Sequence, residues 1–456
     1  MKRKASLNFF FYFDNLMMYL LKLLFIVSLF WSINLPPSPA QNLYFPPLVG
    51  ADWETIDPTT LNWCQQGIDS LYDFLDGKGT KGFIILKDGK IVLEKYFKSF
   101  TKDSVWYWAS AGKTMTSFLT GMAQEKGLLS IHDKTSKYLG AGWTSMPSID
   151  EQKITLWHQL TMTTGLNDDV NDDNCMQPSC LTYKSDAGTR WAYHNAPYRL
   201  LHDVIGKASG TTIQNFMTTN LSSKTGIYGL WSDGVLYSKP RSMARFGLLV
   251  LSGGKWNGKP ILNDQTYISA MTTPSQSINK SYGLLWWLNG QSSFMLPNSQ
   301  IVFPGQLIPN APAKTWCALG KNDQKIYIIP DENIVIIRMG NDGGQVTGAL
   351  SSFDNQLWEK INGLSCKTAT ESASELIFNV YPNPSTTFPN ISIDSNFEIS
   401  KVELYNSNGQ LLITAFDLSS FPKREYQSLC TGMYLLKLTS IQGQILTKKL
   451  IKNGLN

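Results

Sequence analysis

Ser110 and Lys113 stand three residues apart, just ahead of a segment in which Met115, Phe118, Leu119 and Met122 repeat at helical spacing. A helix sets positions three apart on one face, so the Lys113 amine can reach the Ser110 hydroxyl. A serine hydroxyl is a weak nucleophile until a neighbouring base takes its proton. A lysine becomes that base only where burial or nearby positive charge lowers its pKa. The chemistry on offer is acyl transfer through serine. The same residues also fit an ordinary helix start, because serine is a favoured N-cap. A second cluster, Tyr193-His194-Asn195 between Trp191 and Pro197, adds a phenol that can relay a proton and an amide that can orient the lysine. His194 alternates with the other two and is expected to point away from them as a structural residue.

These groups need a scaffold to hold them. The stretch 61–77 has helical periodicity ending in glycine. The next sixteen residues or so are two β-rich runs about Asp88-Gly89, a hairpin signal. After the Ser110 helix, which Gly127 is expected to stop, a polar and mostly helical middle follows. Strand-like runs return at 324–330 and 332–340, and 351–363 reads as a closing helix. The pattern predicts an α/β (α+β) fold: an antiparallel sheet flanked by helices, with an all-helical lobe. Composition changes after residue 366, where a Ser/Thr-rich linker over 366–377 precedes short strands with Asn-Gly and Gln-Gly turns. Those strands, 378–456, predict a small β-sandwich.

Of 456 residues, 43% are hydrophobic and 16% charged, which fits globular domains and excludes bulk disorder. The net charge of +5 gives no case for nucleic acid, since Lys2, Arg3, Lys4 and Lys22 against Asp14 already account for +3. Lys22, the apolar run 23–31 and the small residues Ser38 and Ala40 resemble an export signal covering residues 1–40, cleaved before Gln41, with Met17 or Met18 as alternative starts. The run is too short for a convincing membrane span, so no stable span is expected after cleavage. Export makes a Cys175–Cys180 disulfide expected in the polar loop that holds them. The other four cysteines have no readable pairing. No cysteine cluster has zinc-ligand spacing with the four histidines, and neither metal nor cofactor is expected.

With Ser110/Lys113 and Tyr193/Asn195 in order, the chain resembles the serine β-lactamase and penicillin-binding family, in its class C-like and esterase branch. Residues 154–166, 242–256 and 281–290 resemble further segments of that family, so the resemblance covers about residues 50–360. It implies a DD-peptidase/β-lactamase-like fold over 41–365. It also implies Ser110 as acylated nucleophile, Lys113 as its base, Tyr193 as proton relay and Asn195 as the group that orients Lys113 and substrate.

The third motif departs from the family. Ala318-Leu319-Gly320 occupies the register of the usual K-T-G or H-x-G and lacks its cation, whereas Lys314-Thr315-Trp316 lies outside that register. Gly320-Lys321-Asn322-Asp323-Gln324 resembles the G-x-x-G-Q of the branch that includes 6-aminohexanoate-oligomer hydrolases, except at Asp323. Gly320, Lys321 and Gln324 are therefore expected at the substrate, with an oxyanion hole from the N–H groups of Ser110 and Lys321. The expected substrate is a small ester or amide. The alternatives are a β-lactamase or D-Ala-D-Ala carboxypeptidase, and, from another class, a catalytically inactive surface-binding module. Residues 380–385, 402–412 and 432–438, with the basic end Lys448, Lys449 and Lys452, resemble the type A sorting domain of the Bacteroidetes type IX secretion system. That resemblance implies the secretion machinery as partner and a secreted or cell-surface protein.

Overall fold

The computed structural model describes residues 43–48, 52–344, 346–347, 350–365, 378–393, 397–441 and 445–454. The expected signal segment, its cleavage point, the Ser/Thr-rich linker and Cys366 lie outside the described residues. Two compact units divide the chain between Cys366 and Lys367.

In the first unit, α1 (Gln65–Gly77) leads into β1 (Thr80–Lys87) and β2 (Lys90–Tyr96). Asp88 and Gly89 both take positive φ, 50° and 83°, as the tight turn that matches strand twist requires. Then come α2 (Lys113–Glu125), α3 (Asn195–Ser209) and α4 (Pro240–Leu251). The chain returns through β3 (Trp287–Leu288), β4 (Trp316–Gly320), β5 (Gln324–Ile329) and β6 (Ile334–Gly340), and ends in α5 (Ser352–Asn362). The six strands form one antiparallel sheet in the order β2-β1-β6-β5-β4-β3.

Alternation along β5 sends Ile326 to one face and Lys325 and Tyr327 to the other. Gly247 of α4 approaches the Ile326 face so closely that a Cβ there would lie 2.4 Å from Val335. On the opposite face Tyr327 meets Trp358 of α5 edge-on. Short helices between α2 and α4, with α3, form the expected helical lobe.

α2 runs through the middle of this unit. Every residue from Lys113 to Ala123 is buried, so the helix is enclosed on all sides despite its threonines and serine. The threonine hydroxyls find partners: Thr114 and Thr120 donate to backbone carbonyls one turn back, and Thr116 bonds His202 at 2.8 Å, whereas the buried Ser117 hydroxyl has no partner among the described residues. Gly127 follows the helix with φ 69°.

In the second unit, β7 (Ile399–Asn406), β8 (Leu411–Ala415), β9 (Gly432–Ser440) and β10 (Ile445–Lys452) form a sheet in the order β8-β7-β9-β10. A hairpin of Phe378–Tyr381 with Asn390–Ile393 shares its core, which includes Phe378, Val402, Leu404, Leu436 and Leu450.

Candidate active site

Ser110 lies in the 3-10 turn Ala109–Gly112 that feeds directly into α2. Ala109, just before it, has φ 47°, a left-handed conformation that costs a non-glycine residue about 1–2 kcal/mol. Strain of this kind persists only where the surroundings enforce it. Here β4 crosses the turn, and a Cβ on Gly320 would lie 2.5 Å from the Trp108 carbonyl and 3.0 Å from the Ala111 nitrogen. Only glycine permits that approach, which brings the end of β4 against the Ser110 turn.

Lys113 is 2% exposed, and its Nζ donates to Ser110 Oγ at 2.8 Å and to Asn195 Oδ1 at 2.7 Å. The rings of Tyr198 and Tyr193 lie 4.1 and 4.8 Å from Nζ. Burial drives its pKa from the ordinary 10.5 down to about 7; Asp173 opposes the shift and Arg199 adds to it. The neutral amine is therefore far easier to reach near pH 7 than it is for an exposed lysine. Burial raises the phenol of Tyr193 well above its usual range, with hydrogen bonding to Ser110 partly offsetting it. At neutral pH the site thus holds a lysine able to accept a proton beside a phenol that keeps its own.

Tyr193 stacks on Trp287 at 5.7 Å and meets Tyr282 edge-on at 6.3 Å, with Trp191 against both Tyr282 and Trp287. This aromatic wall excludes water from one side of the lysine. Asn195 opens α3, whose N-terminal partial positive charge also disfavours an ammonium nearby. His194 is buried, its pKa lowered chiefly by burial, and its Nδ1 has no hydrogen-bond partner among the described residues.

Gly320 and exposed Lys321 lie beside the Ser110 turn, but Gln324 does not offer its side chain to a substrate. Its amide is fully buried, donating to the carbonyls of Asn322 and Gly340 and accepting from the Gly340 N–H. That corrects the expectation for Gln324, whose side chain ties β5 to β6. The departure at Asp323 has a structural cause: its carboxylate pairs with Lys325 at 3.2 Å and accepts from Ser351 Oγ and the Gly343 N–H. Lys325 is a strand cation close in sequence to the third motif. Its parity turns it to the opposite face, where it pairs with Asp354 at 2.8 Å.

Sequence reasoning missed Asp173, whose Oδ2 accepts from Asn195 Nδ2 at 2.6 Å. It lies in an Asn/Asp-rich stretch without periodicity, so nothing local distinguished it from its neighbours. The Cys175–Cys180 disulfide is present just beyond it. A cavity of about 1070 Å³ near Trp53, Tyr237, Arg241 and Arg245 is lined by none of Ser110, Lys113, Tyr193 or Asn195. The site is thus marked by its hydrogen bonds and not by the volume of that cavity. No group of residues suited to a metal ion occurs among the described residues.

Residues 78–232 match the Beta-lactamase family model, and residues 379–453 match the secretion system C-terminal sorting domain. Residues 78–232 are thus similar to beta-lactamase domains and residues 379–453 to secretion sorting domains. An uncharacterized protein of Alkalihalophilus pseudofirmus is 24% identical over 318 residues, 60% of this chain and 88% of that protein. Penicillin-binding protein 4* of Bacillus subtilis is 28% identical over 141 residues, 27% of this chain and 30% of that one. Among solved structures, the "Putative 6-aminohexanoate-dimer hydrolase from Bacillus anthracis" is similar with TM-score 0.52 and 18% identity, over 71% of this chain and 87% of that chain. A penicillin-binding protein homolog from Caulobacter crescentus has TM-score 0.51 and 12% identity, over 66% and 98%. At these identities the likeness speaks for the beta-lactamase/penicillin-binding fold. The sorting domain supports a secreted or cell-surface location. No helix among the described residues is long and apolar enough to cross a membrane.

Proposed function

We propose that this beta-lactamase-like domain is a serine hydrolase that cleaves an ester or amide through a Ser110 acyl-enzyme. The observation that carries the reading is the 2.8 Å contact from Ser110 Oγ to a buried Lys113 whose pKa lies near 7. Neutral Lys113 takes the hydroxyl proton as Oγ attacks the substrate carbonyl. The N–H groups of Ser110 and Lys321 hold the oxyanion, each such donor being worth about 3 kcal/mol. The proton from Lys113 reaches the departing alcohol or amine by way of Tyr193, and the carbonyl–heteroatom bond breaks. Water, activated by the same groups, then frees the acid and restores Ser110.

Substrate choice follows from the third motif. A charge-assisted hydrogen bond to a substrate carboxylate contributes roughly 1.5–3 kcal/mol. Ala318-Leu319-Gly320 offers none, and Lys325 is committed to Asp354 on the other face. Uncharged short-chain esters and linear amides lose nothing by this, whereas penicillins, cephalosporins and D-Ala-D-Ala peptides do. Exposed Lys321, one residue past Gly320, is the observation that favours the β-lactamase or carboxypeptidase reading instead.

A serine-directed fluorophosphonate should label Ser110 alone, and Ser110→Ala should abolish both labelling and p-nitrophenyl butyrate hydrolysis. Labelling that persists in the variant would refute the assignment, and a wild-type protein inert to both reagents would leave the inactive binding module. A kcat/KM for nitrocefin above that for p-nitrophenyl butyrate would restore the β-lactamase reading. For export, we infer cleavage of the leader before Gln41 and delivery through the type IX machinery by residues 378–456, with 366–377 as the linker between two independent cores.

A further inference from the structure

The loop from Asn167 to Leu181 joins the helical lobe to the segment bearing Tyr193 and Asn195, and its backbone is pinned where it passes α3. The Asp173 carbonyl accepts from the Ala196 N–H at 2.9 Å, and Arg199 donates to the Asn174 carbonyl at 3.2 Å. The Asp173 carboxylate is bridged from both sides, Oδ1 by Asn174 Nδ2 at 2.8 Å and Oδ2 by Asn195 Nδ2 at 2.6 Å. Two residues further on, the Cys175–Cys180 disulfide closes the chain into a small ring.

The chemistry of an amide gives this arrangement a consequence. The two ends of an asparagine side chain are nearly equal in shape, so its partners alone decide which end faces which way. A carboxylate only accepts. Asn195 must therefore turn its NH2 to Asp173, which leaves Oδ1 for Lys113. The flipped amide would set oxygen against the Asp173 carboxylate, a repulsive contact in a half-buried site, and against protonated Lys113 it would add N–H against N–H. With Oδ1 fixed, one N–H of Lys113 is held by Asn195, and once the amine is neutral its lone pair can turn toward the Ser110 hydroxyl, which then donates in place of Nζ.

We propose, resting on the reading of Ser110 as nucleophile, that Asp173 is a positioning residue that fixes the Asn195 amide and through it the lone pair of Lys113. The disulfide ring holds the carboxylate in reach. The titratable and charged groups acting on Lys113 are Asp173 from this loop, Arg199 and Tyr198 from α3, and Tyr193 from the segment before it. The charge of Asp173 strengthens proton binding at Lys113, against burial and Arg199. Removing that charge while keeping the shape should disorder the amide and also make Lys113 easier to deprotonate.

The test is steady-state hydrolysis of p-nitrophenyl butyrate across pH by full-length wild type, Asp173→Asn, Asp173→Glu and Ser110→Ala. Asp173→Asn should lower kcat by about 10- to 100-fold with little change in KM, the size seen for groups that act through one intermediary. Its acid limb in kcat/KM should move to lower pH, a shift that a merely destabilised loop does not produce. Asp173→Glu, which keeps the charge, should return the limb toward wild type. An Asp173→Asn protein with wild-type kcat and an unmoved limb, alongside an inactive Ser110→Ala, would overturn the positioning role and leave the nucleophile standing. A Ser110→Ala protein with wild-type turnover would overturn the nucleophile itself, and this proposal with it.

Discussion

Two lysines are buried in the same unit to almost the same degree, Lys113 at 2% exposure and Lys325 at 0%, on opposite faces of the central sheet. Lys113 is surrounded by a hydroxyl, an amide oxygen and two aromatic rings, with its nearest carboxylate one residue removed behind Asn195. Lys325 is set between the carboxylates of Asp354 and Asp323, and the Tyr327 hydroxyl and the Gly343 N–H satisfy the remaining oxygens. Burial alone therefore does not make a base. Where the partners are neutral, the cost of desolvating the ammonium appears as a depressed pKa, and where they are carboxylates it is offset by pairing. One arrangement suits proton transfer, the other anchors β5 to α5.

Removing each lysine in turn should separate the two roles most sharply. Lys113→Met should lower kcat for an ester by about 10²- to 10⁴-fold, the usual contribution of a general base, with the protein still folded. In the wild type, kcat/KM should rise with pH through an apparent pKa near 7, because the neutral amine is the active form; a flat profile from pH 5 to 9 would mean another base. Lys325→Met should instead cost about 3–5 kcal/mol of stability by stranding two buried carboxylates, with turnover of the folded fraction little changed. Denaturant unfolding of both variants reads the difference directly.

A finer prediction concerns the stability of Lys113→Met itself. The folded pKa lies below the unfolded value of 10.5, so the unfolded chain binds an extra proton between about pH 7 and 10.5 and stability rises across that window. Replacing the lysine removes the penalty, stabilising the domain by about 2–4 kcal/mol near pH 7 and by progressively less toward pH 10. A variant less stable than wild type at pH 7 would show that the pairing with Asn195 and Ser110 outweighs desolvation. The smallest effect expected is that of Cys175→Ser with Cys180→Ser, about 2 kcal/mol for so short a ring. It should be accompanied by a fall in kcat if the ring holds Asp173; unchanged kcat would confine the disulfide to stability.

Much of the fold was legible because it rests on local rules. Asp88-Gly89 turns with both φ values positive, the closing helix begins at the Ser351 cap, and the buried residues of α2 include the whole apolar repeat. The spacing of Ser110 and Lys113 was legible for the same reason, since one turn of helix fixes it. Gln324 was misread because a motif specifies residue types and leaves open which backbone groups a side chain will meet; here the Gly340 peptide claims both ends of the amide. Asp173 was invisible because its importance lies in one contact across 22 residues to Asn195.

By itself the sequence determined the elements, the two-unit composition and a serine placed one helical turn from a lysine, all properties of short-range periodicity and turn chemistry. Only the tertiary structure decided which cation faces Ser110. That depended on the parity of β5, on α2 being sealed on every side so that Lys113 loses its water, and on a distant carboxylate that orients the amide between them. Desolvation and hydrogen-bond direction are set by everything that surrounds a group at once, and no stretch of sequence holds that information.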